Sequence, residues 1–520
     1  MSGGKVSSWI PRNQNLLVAC IVGISIVDSV LVAFDSSLMG SLNVMPSYIS
    51  YFTLTTTTKS LNTAVSYVGG AIAALIAGPI VDWRGRKECI YWSAPITIIG
   101  AVIQGCAQNI GMFLGGRFIL GIGLGFSQVS APTLVAETAP VQYRAFALGL
   151  YYAFWGVGNL LATGVCYGTQ DLTSTWAWRI PSLVQAVPGI LCMIVLLFVP
   201  ESPRWLISKG RNEEALEILA IANAEGRTDD PVVLVQYKEI TDTLRWEKER
   251  QLSLVQAITL KANRKRLIIA ATFAMIVMLP GTNIVTFYFG DMLSSAGISS
   301  PKTQLEINII LTSWSLVIAV VGSIYADKVG RKTLCVAALV GGIISLYALA
   351  GLTATYGTSG NKSGVYGTIA MIFLYNASYS WGITPLTVLY PPEVLSFDIR
   401  AAGMGIYTCV TKLSGLFVAM VIPFGMDAIG WKVYIVNASV DILMVLGVIF
   451  YWVETRGKTL EEVDKMFDGR KHSDVPDLET VIQGKGMIDS TVLVGESISP
   501  VVSRIGENVI KGNKGKVGKL

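Results

Sequence analysis

Five ionisable residues lie inside long apolar runs of this chain: Asp28, Asp35, Arg117, Lys412 and Asp441. A charge in hydrocarbon is expensive, so each needs a partner, a wet cavity or a task. An arginine beside an acid holds it ionised, and separating the two raises the acid's proton affinity. Asp35 in the first run and Arg117 in the fourth are therefore residue types that can couple a proton to a movement, or form a fixed pair locking two helices. Lys412 can pair with an acid or attract an anionic solute. The single histidine, His472, follows the last apolar run, which excludes a histidine relay inside a membrane. The seven cysteines lie in or beside apolar runs without CxxC spacing, so they read as small packing residues, not a zinc site or disulfide framework.

A second set of charges recurs. Asp82-Trp83-Arg84-Gly85-Arg86-Lys87 follows the second apolar run and Asp327-Lys328-Val329-Gly330-Arg331-Lys332 the eighth. Glu137 precedes Arg144 by seven positions after the fourth run, and Glu393 precedes Arg400 by seven after the tenth. Pro200-Glu201-Ser202 closes the sixth run, as Val453-Glu454-Thr455 closes the twelfth. The same signatures in the same order describe a duplicated chain. Acids recurring beside bases favour ion-pair networks that form in one access state and break in another, so Asp82, Arg86, Glu137, Arg144, Glu201, Asp327, Arg331, Glu393, Arg400 and Glu454 are candidate gate residues. Static anchoring of the loops is the simpler alternative.

The elements that must carry these residues are membrane helices. The chain has 520 residues, 52% hydrophobic and only 14% charged, with a mean hydropathy of +0.55. Soluble domains carry about 25% charged residues. A span needs about 20 apolar residues, and candidates fall near 16–40, 61–81, 89–108, 111–132, 144–166, 178–199, 266–294, 305–326, 333–353, 365–389, 400–424 and 431–452. Arg84, Arg86, Lys87, Arg144, Lys328, Arg331, Lys332 and Arg400 fall in even-numbered loops, which places both termini in the cytoplasm. The polar start lacks the layout of a cleaved signal peptide, so the first apolar run is expected to remain as a helix. Asn361-Lys362-Ser363 then becomes an exterior glycosylation sequon at Asn361. The expected division is an N-terminal segment 1–15, a six-helix bundle 16–199, a linker 200–265 with short amphipathic helices, a second bundle 266–452 and a polar cytoplasmic tail 453–520. Gly121-x-Gly123-x-Gly125 lies inside an apolar helix with no strand before it, so these are packing glycines, not a dinucleotide site.

GPIVDWRGRK, GGRFILGIGLG, Glu137-x-x-Pro140-x-x-x-Arg144, PESPRWL at 200–206, the second DKVGRK and ETRGKTLEE at 454–462 together resemble the sugar porters of the major facilitator superfamily over about residues 16–465. WRIPSLVQAVP and TPLTVLYPPEVLSFDIRAAGMG look more particularly like fungal lactose-permease-type and hexose transporter members. The resemblance implies an all-α polytopic membrane protein: twelve transmembrane helices in two pseudo-symmetric six-helix bundles, worked by alternating access around a midplane cavity. It implies that Asp35 and Arg117 couple proton to substrate, as the acid and arginine at matching positions do in proton-coupled relatives. It puts substrate contacts at Asn283, Tyr288 and Tyr152, with Trp381, Trp314 and Trp155 as stacking candidates. Departures are visible: Val277 and Met278 replace the usual glutamine pair, and Lys412 stands where similar fungal transporters carry a neutral residue such as Asn.

The leading reading is a carbohydrate:proton symporter for a mono- or disaccharide, in the plasma membrane, acting as a monomer among lipid. A carrier or exporter of an organic acid or specialised metabolite is the alternative that Lys412 favours, and Lys412 is then a substrate contact. A non-transporting sugar receptor is the third. No metal-ligand cluster, histidine-based nucleophile or phosphate-cradling loop is present in the sequence, so neither an enzyme nor an ATP-driven pump is expected, and neither a cofactor nor a nucleic-acid partner.

Overall fold

The computed structural model describes residues 7–250, 259–282, 284, 289–295, 298–356, 362–456, 463, 466 and 467; a few side chains within helices, those of Arg144, Tyr152 and Asp327 among them, lie outside the described set. Among the described residues, eight helical segments are long and apolar enough to cross a bilayer. They are α1 (Gln14–Leu42), α2 (Thr56–Arg84), α4 (Ile110–Thr138), α6 (Trp176–Leu196), α8 (Pro301–Val329), α9 (Arg331–Tyr356), α11 (Phe397–Ile429) and α12 (Lys432–Tyr451). Four further long helices stand where the sequence reading expects spans but fall short of that measure of length and hydropathy: α3 (Arg86–Gly105), α5 (Val141–Thr169), α7 (Lys261–Met278) and α10 (Lys362–Val394). Their hydropathy is diluted for visible reasons. α3 and α7 begin with clustered charges, while α5 and α10 carry Gly, Tyr, Trp and Asn. A helix of 29 residues such as α1 is about 43 Å long at 1.5 Å per residue, enough to cross the hydrocarbon and project beyond it.

The packing repeats between the halves. α1 lies on α5, α2 on α4, α3 on α4 and α3 on α6; the same relations join α7 to α11, α8 to α10, α9 to α10 and α9 to α12. Two long seams join the halves, α2 against α11 and α5 against α8. In the first, antiparallel seam, a Cβ on Gly70 would meet Lys412 Cε at 2.9 Å and one on Gly405 would meet the Ala74 carbonyl at 2.9 Å. Small residues let the two backbones approach there. The glycines of the fourth apolar run serve the same end: Gly121 faces the Ser66 backbone, Gly123 faces Ser93 and Thr97, and Gly125 sits 2.6 Å (Cβ position) from the Gly70 carbonyl.

Proline breaks the helical ladder and other side chains repair it, as they must where no water reaches. Pro181 cannot donate to the Ala177 carbonyl, and Thr169 Oγ1 donates to it instead at 2.8 Å. Pro391 frees the Thr387 carbonyl, which accepts from Tyr407 Oη at 3.1 Å. Pro188 cannot donate to Val184, and α6 is interrupted there at Gln185. α7 ends before Leu279-Pro280, and a short helix Phe289–Ser295 resumes beyond it.

Between the halves, the helices Pro203–Ser208, Asn212–Ala224 and Pro231–Arg250 pack around Leu216, Leu219, Val233 and Tyr237. They dock beneath the start of α1, where Gln14 donates to the Ala222 carbonyl at 2.9 Å and Arg12 pairs with Glu217 at 2.9 Å. The sequon at Asn361 and the tail past Phe467 lie outside the described residues.

Because the Gly125 position touches Gly70 and Ala73, Gly125→Leu is expected to cost about 1–3 kcal/mol through overpacking. Thermal unfolding of the purified variant should begin several degrees lower; an unchanged melting curve would show that α2 and α4 do not need this close approach.

Candidate functional site

Asp35 is 4% exposed and receives donors from three helices. Arg117 Nη1 of α4 pairs with its Oδ1, Gln185 Nε2 of α6 donates at 2.7 Å, and Ser66 Oγ of α2 donates at 3.3 Å. Gln185 reaches it from the break that Pro188 imposes on α6. Arg117 is held in turn: its Nε donates to the Asn62 carbonyl at 3.1 Å, and Asn62 Nδ2 donates to Tyr48 Oη at 2.9 Å. Donors from α2, α4 and α6 thus converge on one buried carboxylate. Asp28 is a separate node, accepting from Ser127 Oγ and, at 2.7 Å, from Tyr151 Oη. Lys412 and Asp441 are not brought together. Lys412 lies over the Tyr67 ring, its Nζ 5.6 Å from the centroid, and within the fields of Asp35 and Arg117. Asp441 is buried near Tyr375 with Oδ1 unpartnered among the described residues.

A cavity of about 90 Å³ opens between the halves beside the α5–α8 seam. Its walls are Ser37 of α1, Trp155 and Asn159 of α5, Asn308, Thr312 and Ser315 of α8, and Asn376, Tyr379, Ser380 and Thr384 of α10, with Thr282 after the α7 break. No charged side chain lines it among the described residues. Ser315 and Ser380 both donate to Asn376 Oδ1, at 2.8 and 3.0 Å, which leaves the amide N–H groups of Asn376 for a solute. Asn159 Oδ1 is buried without a donor among the described residues.

Of the substrate contacts expected from the sequence, Asn283 and Tyr288 lie outside the described residues, as does the side chain of Tyr152; Thr282, next to Asn283, lines the cavity. Trp381, whose backbone lies against Gly322, is not in the wall, and neither is Trp314, which is 42% exposed. Trp155 is in the wall. Lys412 lies in the α2–α11 seam, away from the lining. The wall residues Asn159, Asn308 and Asn376, and the Asp35 partners Gln185 and Ser66, are additions from the structure. Their signal in the sequence was a lone amide or hydroxyl within an apolar run, too common in membrane helices to select.

The recurring charges assemble twice. Arg86 Nε pairs with Glu137 at 3.0 Å and Arg331 Nη2 with Glu393 at 2.8 Å. Ser202 Oγ donates to Glu137, and Thr455 Oγ1 donates to Glu393 at 2.7 Å. Glu201 accepts from the backbone N–H of Arg86 at 3.0 Å and Glu454 from that of Arg331 at 2.7 Å, each carboxylate capping the helix that follows its glycine turn. Gly85 and Gly330 have φ of 111° and 100°, and a side chain on either would strike the capping glutamate. Burial pushes the Glu201 carboxyl above its ordinary value, against the pull of the Ser202 and Lys87 N–H groups and of Arg86. Asp82 pairs with Arg86 at 3.3 Å. Arg400 donates to the Leu395 carbonyl and acts electrostatically on Glu137 across the halves. At the opposite end Thr56 donates to Asp427 at 2.9 Å, Lys59 meets Asp291 at 3.8 Å and Tyr167 donates to Glu306 at 3.2 Å, each joining one half to the other.

Residues 20–467 match the family described as "Sugar (and other) transporter". The chain belongs to the sugar porters of the major facilitator superfamily. This sugar porter is 27% identical over 460 residues to the MFS-type transporter criB of Aspergillus cristatus, covering 87% of this chain and 94% of that one. It is 30% identical over 493 residues to the high-affinity glucose transporter 1 of Candida albicans, covering 90% and 89%. Its fold is similar to that of the proton:xylose symporter XylE bound to 6-bromo-6-deoxy-D-glucose, with a TM-score of 0.76 at 21% identity, covering 87% of this chain and all (100%) of that one.

Arg86 is bound at once by Asp82 and Glu137, which makes it the residue whose removal best separates a gating role from anchoring. Arg86→Ala is expected to lower transport about tenfold or more while membrane abundance stays near that of the parent. Loss of folded protein, with unchanged turnover for what remains, would assign the network to anchoring alone.

Proposed function

We propose that this sugar porter is a proton-coupled symporter of a mono- or disaccharide. The observation that carries the reading is the cavity itself: an uncharged wall of amides and hydroxyls with Trp155 and Tyr379, reached on α1 by Ser37, two residues from Asp35. Uncharged donors and acceptors suit a polyhydroxylated solute, whose hydroxyl can donate to the orphaned Asn159 Oδ1. An aromatic face suits the apolar side of a sugar ring. Asp35, a buried carboxylate held by Arg117, Gln185 and Ser66, is the group this reading assigns to proton coupling. An organic acid would require a cation in the wall, and Lys412 stands apart from it.

In this reading the two bundles, 16–199 and 266–452, rock about the cavity, the linker 200–265 and both termini face the cytoplasm, and the plasma membrane is the site of action. The capped networks at Glu201 and Glu454 tie helix ends within each bundle, and Arg400 of the second bundle acts electrostatically on Glu137 of the first. A monomer suffices, since each half supplies one wall.

Uptake by purified protein in liposomes under an inward proton gradient tests the proposal. Sugar accumulation that collapses with a protonophore, and is lost in Asp35→Asn while equilibrative exchange persists, is the expected result. Asn159→Ala should raise the half-saturating sugar concentration by about tenfold, the loss of roughly 1.4 kcal/mol of hydrogen bonding. Gradient-independent equilibration, or uptake restricted to a carboxylate, would overturn it.

A further inference from the structure

Three buried oxygens of the second bundle have no hydrogen-bond partner among the described residues: Asp441 Oδ1 and Asn437 Oδ1 of α12, and Tyr375 Oη of α10. They converge on one place. Asn437 and Asp441 lie one helical turn apart on the same face of α12, and helical side chains lean toward the N-terminus, which tilts Asp441 toward Asn437. Across from Asn437, α7 breaks at Leu279-Pro280-Gly281. A Cβ on Gly281 would lie 3.1 Å from Asn437 Oδ1 and 3.5 Å from Tyr375 Cζ, so the glycine leaves a gap that both side chains border. The orientation of the Asn437 amide is settled by its nitrogen, which donates to the Leu279 carbonyl at 2.9 Å; an amide oxygen could not make that contact. Tyr375 Oη lies by the Thr282 N–H, which bonds the Pro280 carbonyl instead.

The tyrosine proton could satisfy one of the two acceptors and would leave the other bare. Asp441 is 1% exposed and has no basic partner among the described residues, a costly state for a carboxylate in hydrocarbon. All three unfilled atoms are oxygens, and the C-terminal end of α7 adds the negative end of its dipole. Such a set suits a hard cation, and interrupted membrane helices are where transporters hold them. No three His, Cys, Asp or Glu side chains converge among the described residues, so one carboxylate is the whole formal charge on offer. A monovalent ion balances that charge, whereas a divalent ion would leave a net charge buried. The gap at Gly281 is the size of one methyl group, which favours the smaller sodium ion over potassium. We infer that Asp441, Asn437 and Tyr375 form a sodium site at the break of α7. The site lies in the second bundle, apart from Asp35, and does not depend on proton coupling. It adjoins the sugar cavity through α7. The Val277 carbonyl accepts from Tyr379 at 2.8 Å and the Leu279 carbonyl from Asn437, while Tyr379 and Thr282 line the cavity. An ion that orders Asn437 steadies the helix end on which part of the sugar wall is built, so ion and sugar favour each other's binding.

The test uses the purified full-length protein with the ion as the only variable. Thermal unfolding is compared in sodium, potassium and choline chloride at equal concentration, and bound radioactive sodium is counted on immobilised protein. Sodium is expected to raise the unfolding midpoint by several degrees over choline, with potassium weaker, and bound sodium to saturate at a single ion per chain. Tyr375→Phe keeps the ring against Gly281 and Gly342 and is expected to raise the half-saturating sodium concentration by about tenfold. Asp441→Asn is expected to lose both sodium binding and sodium stabilisation, with monodisperse elution establishing that it is folded, while Asp35→Asn keeps both. Saturating sodium should also lower the half-saturating sugar concentration of the parent by about fivefold, and not that of Asp441→Asn. Equal midpoints in the three salts, or stabilisation by potassium alone, would overturn the inference. Sodium binding that survives in both Asp441→Asn and Tyr375→Phe would place the ion elsewhere and overturn it too. Each readout is taken without transport, so failure of proton-coupled uptake would leave this result standing.

Discussion

A carboxylate in the middle of a bilayer must be compensated wherever the helices around it go, and the arrangement of the first bundle follows from meeting that demand for Asp35. Arg117 supplies the charge, and its position is fixed by Asn62 and Tyr48 behind it. Gln185 supplies a second donor only because Pro188 interrupts α6 at that residue. Ser66 supplies a third, from the helix that also forms the seam with the second bundle. One acid thus organises α1, α2, α4 and α6. The second bundle has the same helix packing, but among its described residues Asp441 is buried near Tyr375 with no such basic partner. The duplicated scaffold has been divided, with the buried ion pair in one half and most of the amide and hydroxyl wall in the other.

The charged end shows the opposite pattern, in which both copies keep the whole device. A glycine with positive φ turns the chain, a glutamate from the end of the sixth or twelfth helix caps the new helix, and an arginine at its start binds a second glutamate. The parts are interdependent. A side chain at Gly85 would displace Glu201, and loss of Glu201 would leave the first N–H groups of α3 unpaired. This explains why three separated signatures recur together: each supplies a piece that the other two require.

Those signatures made the family, the duplication and the pairing at the charged end legible in the sequence. Asp35 and Arg117 were legible for a similar reason, as charges in apolar runs have few innocent explanations. The cavity wall was not. Asn159, Asn308 and Asn376 are single amides among many polar residues in glycine- and tyrosine-rich helices, and which of them face inward depends on helix rotation about its axis. The tryptophans divide in the same way: Trp155 lines the cavity, Trp381 packs on the apolar core and Trp314 is exposed outside the lining. Lys412 was visible as an oddity, but its place in the seam required knowing that α2 and α11 meet. The contacts at the end opposite the basic loops, such as Thr56 with Asp427, join residues 371 positions apart and carry no repeat to mark them.

In the proposed cycle one carboxylate, Asp35, gains and loses a proton for each sugar carried. Charge movement on a solid-supported membrane measures this directly, by recording the current evoked when sugar is applied to proteoliposomes at symmetrical pH. A neutral sugar carried with one proton yields an inward positive current that saturates with sugar concentration and disappears in Asp35→Asn. Sugar entry measured on the same vesicles without any such current would contradict the account and leave the Asp35–Arg117 pair as a fixed brace between helices.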